Sequence, residues 1–140
     1  MVEVVNRQRK IRVDLNRWQQ FSEKALSVLP TTANDVTVAF VSDRKMRELN
    51  RMWRHKSGTT DVLSFPSSSE SFENEEPGLG DIVISLEQAK RQAKENGLGL
   101  NDEIAQLILH GMIHLCGFDH ETDNGEMNRL EIRLRRKLGI

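Results

Sequence analysis

Three of the chain's four histidines fall in one short run, His110-Gly-Met-Ile-His-Leu-Cys-Gly-Phe-Asp-His120. Positions four apart on a helix project from one face, about 6 Å apart along the axis, so two imidazoles can converge on one ion. Gly117 stands where that helix should end, because glycine adopts the left-handed conformation that turns the chain. The turn can bring His120 back to the same point as a third ligand. Three protein ligands and an open position are the pattern of catalytic zinc, whereas closed structural sites usually have four. The residues therefore predict one zinc ion per chain, bound by His110, His114 and His120 at a hydrolytic site.

The surroundings agree. Ile104, Leu107, Ile108, Met112 and Leu115 flank the histidines on a helical wheel, and Leu109 and Ile113 lie opposite, so the helix is apolar almost all round and should be buried. Buried imidazoles need partners, and a metal supplies them together. The spacing matches the metzincin pattern His-Glu-x-x-His-x-x-Gly-x-x-His with one departure. Gly111 stands where those proteases place the glutamate that serves as general base. A peptidase mechanism of that kind is excluded, and a base must come from elsewhere, with Asp61, Asp119, Glu121 and Asp123 as candidates. Cys116 reads as a small buried hydrophobe.

The elements that must position this run can be read from periodicity. Strands are expected at Val2–Val5, Asp35–Val41, Val62–Phe65 and Leu79–Ile84. Helices are expected at Leu15–Leu29, stopped by Pro30, and from Ser42 or Asp43 to Trp53, with Met46, Leu49 and Met52 or Trp53 inward. Ser85-Leu-Glu-Gln88 opens a third helix, closed by Gly97. Asn101 should cap the histidine helix, and Asp123 to Glu126 should begin a last one with Met127, Leu130 and Leu134 inward. The polar stretch from Ser67 to Gly78 reads as a tolerant connection or a lid. The order β-α-β-α-β-β-α-α-α predicts an α+β fold, and 140 residues suit a single domain over residues 1–140.

Composition sets the outer bounds. With 37% hydrophobic and 29% charged residues the chain reads as an ordinary globular protein. It has no apolar run of membrane-spanning length and no signal-like start, so no membrane partner is expected. One cysteine excludes an internal disulfide framework and suits a reducing cytoplasm. Net charge is −1, but unevenly spread: residues 1–56 hold 12 Lys/Arg against 6 Asp/Glu, and residues 129–140 hold 5 against 1. A fold joining these two basic ends would present a positive face.

The histidine run, together with Thr60-Asp-Val-Leu-Ser-Phe-Pro66, Leu79-Gly-Asp-Ile82 and Asn50-Arg-Met-Trp-Arg54, resembles the YbeY family of bacterial endoribonucleases over most of residues 36–138. That resemblance implies a small mixed β-sheet flanked by helices in a zincin-like arrangement. It also implies a zinc-dependent ribonuclease of the cytoplasm, acting on single-stranded RNA. Its expected tasks are 3′-end maturation of small-subunit ribosomal RNA and ribosome quality control, with the ribosome as a partner. By position, the three histidines are the ligands and Arg54 is the catalytic arginine beside the metal. The chemistry suits RNA, since a guanidinium grips phosphate oxygens and stabilises charge developing on them. Trp53 and Phe65 could stack on bases, but core packing is expected for both, and His55 reads as a surface residue. Two alternatives share the zinc site: a hydrolase of peptide or amide bonds, and a non-catalytic assembly factor stabilised by zinc.

Overall fold

The strand β1 (Val2–Asn6) begins a computed structural model that describes residues 1–67 and 78–140. It is followed by α1 (Leu15–Val28), β2 (Val36–Val41), α2 (Asp43–Arg54), β3 (Val62–Pro66) and β4 (Gly80–Ser85). The helices α3 (Leu86–Glu95), α4 (Leu100–Leu115) and α5 (Glu126–Leu138) complete the order predicted from periodicity. The strands form one mixed sheet in the order β1-β2-β4-β3, parallel except for β3, which runs antiparallel to β4 at the edge. This is the α+β arrangement expected, with helices on both faces. The stretch 68–77 of the expected polar loop lies outside the described residues.

Strand alternation sorts the core into two layers. Val36, Val38, Phe40, Ile82 and Ile84 face α1, α4 and α5 and pack with Trp18, Ile104, Ile108, Met112, Met127 and Leu130. The opposite face is smaller: Val41, Leu63 and Val83 pack with Met46 of α2, and Leu49 and Phe65 close its rim. Both faces of β4 are therefore covered, so Val83 is buried along with its neighbours. The two basic ends join only in part: α1 packs beside α5, but the arginine-rich α2 lies on the other face of the sheet. The sheet separates α2 from α5, so the basic residues of α2 do not share a face with those of α5.

Local signals set most boundaries. The Ser42 and Ser85 hydroxyls accept from the Lys45 and Gln88 amides at 3.2 and 3.3 Å, capping α2 and α3. Two expected caps shift. Gly99, not Asn101, precedes α4, and it gives no side-chain bond. At α5 the cap residue is Gly125, with φ +94°, while the Asp123 carboxylate accepts from the Gly125 and Met127 amides at 2.9 Å. The expectation for Met52 or Trp53 fails outright. Both are exposed, at 56% and 63%, because α2 outruns the small core that buries Met46.

Candidate metal centre

The cleft lies at the β3 edge of the sheet, where the ends of α4 and α2 meet around one strand. It has a volume of about 530 Å³ and is lined by His110, His114 and His120, by Trp53 and Arg54, and by Thr60 through Pro66. Asp119 and Glu121 also line it. The faces of β3 divide between its two neighbours. Ser64 points to α4 and donates to the Gly111 carbonyl at 3.4 Å, while Leu63 and Phe65 join the layer under α2.

The three imidazoles each offer a ligand atom, and these atoms lie within 4.8 Å of one another. Ring centroids are 5.1 to 5.9 Å apart. His110 and His114 are one turn apart on α4 and half-buried. Gly117 has φ +98°, and its amide donates to the His114 carbonyl at 3.0 Å, so the chain reverses there and returns the exposed His120. Burial, then the neighbouring His110 and His120, hold the His114 pKa below the usual imidazole value, against Asp119 and the Phe118 carbonyl. The neutral form, which is the metal-binding form, is favoured.

A group that sequence reasoning missed orients this cluster. The Glu131 carboxylate lies 3.1 Å from His110 Nδ1. Accepting that hydrogen leaves His110 Nε2 with its lone pair free to face an ion. Burial alone would raise the Glu131 pKa, but the His110 contact and Arg135, 3.4 Å away, outweigh it and hold the group below its ordinary value. The available signal was an acid within the buried stripe of Met127, Leu130 and Leu134. A converging set of nitrogens, one already oriented by a carboxylate, fits a transition-metal ion with a position left open.

Gly111 explains the missing protease base. A Cβ there would lie 3.0 Å from Ile82 Cγ2 and 3.2 Å from its Cδ1 and Cγ1, so α4 packs against β4 too closely for a side chain. Of the substitute bases, Asp61, Asp119 and Glu121 line the cleft. Asp61 is held by the Val62 amide at 2.8 Å and the Gln92 side chain at 2.7 Å. Asp123 lies outside the cleft. Its carboxylate caps α5, and the Met127 and Gly125 amides lower its pKa. The Cys116 thiol, also outside, is pushed up by burial and stays protonated.

Arg54 is exposed at the end of α2 and shares the cleft with the histidines. His55 follows in the left-handed conformation, φ +55°, and its amide donates to the Asn50 carbonyl. Asn50 Nδ2 also donates to the Gly58 carbonyl at 3.3 Å, so one buried residue ties down the loop that leaves Arg54. Trp53 overhangs Phe65, with ring centroids 6.0 Å apart at 71°. Its expected place in the core is wrong, whereas Phe65 is half-buried as a core residue should be.

A mixed sheet with an antiparallel edge strand beside a histidine-bearing helix defines a zincin-like class of α+β metal-site proteins. The solution structure of TM1509 from Thermotoga maritima shares the fold, with a TM-score of 0.66 over 99% of this chain and 89% of that one at 23% identity. The chain belongs to the endoribonuclease YbeY family, whose model matches residues 3–139. Proteins named endoribonuclease YbeY from Nautilia profundicola and Aquifex aeolicus are 45% and 42% identical to it. Those matches cover 78% and 86% of this chain and 76% and 77% of the relatives.

Proposed function

We propose that this chain is a zinc-dependent endoribonuclease that cuts single-stranded regions of ribosomal RNA. In this reading it matures the 3′ end of small-subunit RNA and serves ribosome quality control, in the cytoplasm, with residues 1–140 as one domain. The observation that carries it is the composition of one cleft: three convergent imidazoles and a free guanidinium, with no carboxylate at the protease-base position. Family membership supports the same activity. No helix among the described residues is long and apolar enough to cross a membrane.

His110, His114 and His120 would hold the ion, and Glu131 would fix the ring of His110. Zinc supplies Lewis acidity, lowering the pKa of water to about 7 and polarising a phosphoryl oxygen. Arg54 grips non-bridging phosphate oxygens with its planar fork and stabilises the charge that develops on them. Asp61, Asp119 and Glu121 line the cleft as proton acceptors; Asp61 is already oriented by three donors, the Val62 amide, the Gln92 side chain and the Thr60 hydroxyl.

The test pairs metal analysis of the purified protein with cleavage of single-stranded RNA and of casein, before and after chelation. The expected result is about one zinc per chain, RNA cleavage lost on chelation and restored by zinc, and no casein cleavage. Chelator-sensitive cleavage of casein would instead make it a peptide hydrolase. Full zinc occupancy with no RNA cleavage, alone or with ribosomes, would favour the assembly factor.

A further inference from the structure

The strongest charge pattern outside the metal centre runs along α2. Arg44, Arg47, Arg51 and Arg54 fall within about 80° of helical arc at 100° per residue and span about 15 Å of axis. All four are exposed, and among the described residues none makes an ion pair or hydrogen bond through its side chain. Arg91 and Arg135, by contrast, both engage carboxylates. Arg44, Arg47 and Arg51 line a groove of about 450 Å³ with Ser57 and Gly58. Glu48 is the one acid in that lining, and Lys45 lies 3.8 Å from its carboxylate.

At its far end the stripe reaches the cleft. Arg54 lines the metal centre, and Trp53 presents an indole that is 63% exposed, resting edge-on against Phe65. Four guanidiniums in a row match a chain of phosphates, because each planar fork suits phosphate oxygens. Around the helix from Arg54, in the same cleft, the aromatic face of Trp53 matches an unpaired base, since stacking on it requires a base free of its duplex neighbours. The four arginines thus set direction as well as charge. They form one line that ends at the histidines.

We infer that the outer face of α2 is a track for the backbone of single-stranded RNA, ending at Trp53, which stacks on one unpaired base beside the scissile phosphate. The inference rests on the ribonuclease reading and adds the path of the strand. It makes Trp53 a specificity residue, admitting single strands and refusing duplex. Arg44 and Arg47 then hold the strand about two to three helical turns away from the chemistry.

The test uses the full-length protein and a non-cleavable single-stranded 2′-O-methyl RNA of twelve nucleotides, with the same sequence as a duplex for comparison. The chain has two tryptophans, and Trp18 is buried at 2% exposure, so acrylamide quenching reports Trp53. Single-stranded RNA should shield Trp53 from acrylamide, and duplex should not. Trp53→Ala should weaken single-strand binding about 10-fold, and Trp53→Phe should retain most of it. The double variant Arg44→Ala, Arg47→Ala should lower the slope of log affinity against log salt by about 1.4, at roughly 0.7 per phosphate contact on single strands. Arg133→Ala with Arg136→Ala, the same charge change on α5, should leave that slope unchanged. An unshielded Trp53, equal binding of duplex, or equal slope changes in the two double variants would each overturn the track. If the wild-type protein cleaves RNA in these cases, the ribonuclease reading survives; if it neither binds nor cleaves RNA, both readings fall.

Discussion

On the α4 wall of the cleft His110 and the backbone turn that carries His120 are already held, whereas on the α2 wall Trp53 and Arg54 stand in solvent. His110 leans on Glu131, and the turn at Gly117 ties His120 to the end of α4. Beneath them Gly111 lies against Ile82 with no room for a Cβ. Arg54 has no such support, although α2 itself is anchored at its other end. There the buried Asp43 accepts from Ser85 at 2.6 Å and from Arg91 at 2.5 Å. The difference follows from the ligands. A small ion needs rigid donors within a few tenths of an ångström, so its wall is ordered before binding. A flexible polyanion is met by long solvated side chains that order only when it arrives.

The comparison breaks most readily at the histidines. His110→Ala with His114→Ala should remove bound metal and reduce RNA cleavage about 1,000-fold or more, since two of three donors are gone. Undiminished metal by elemental analysis would place the ion elsewhere. Arg54→Ala should lower cleavage roughly 10- to 1,000-fold with zinc content and melting temperature unchanged, and Arg54→Lys should recover only part. An unchanged rate and RNA affinity at moderate salt would reduce Arg54 to a solvated helix-end charge.

Rigidity of the α4 wall has its own test. Gly111→Glu restores the protease pattern in sequence, yet it should destabilise the fold by about 1–3 kcal/mol through overpacking against Ile82, without peptidase activity. Denaturant titration and a casein assay read the two halves of that statement. Glu131→Gln should weaken zinc affinity roughly 10- to 100-fold in a chelator competition while leaving single-strand RNA affinity alone. Equal zinc affinity would show that His110 needs no orienting carboxylate.

The smallest effect concerns the anchor of α2. Burial alone would raise the Asp43 pKa, but hydrogen bonds from Ser85, Arg91 and Thr59 outweigh it and hold the carboxyl below its ordinary 3.8. A depressed carboxyl stabilises the fold above that ordinary value, and the contribution is lost as pH falls through the lower folded value. Asp43→Asn should therefore cost about 1–2 kcal/mol near pH 7, with the difference fading below about pH 4. Thermal melts across pH would show it, and a difference constant with pH would mean the ionised form contributes nothing.

Much of this molecule was legible before any coordinates. Element order followed from periodicity and from Ser42, Ser85 and Gly117, because caps and turns depend on neighbours in the chain. The histidine cluster was legible for the same reason: His110 and His114 share a helical face, and the glycine turn returns His120 over three residues. Where the chain had to meet distant parts of itself, only the tertiary structure decided. Trp53 continues the apolar row of Met46 and Leu49, and nothing local says that α2 extends past the layer that buries them. Glu131 looks like any helix acid until α5 packs beside α4 and brings it to His110. The glycine at position 111 showed in sequence that a protease base was missing. Its reason, the close approach of Ile82 from β4, is a contact between residues 29 positions apart, and such distances are set by packing rather than by local preference.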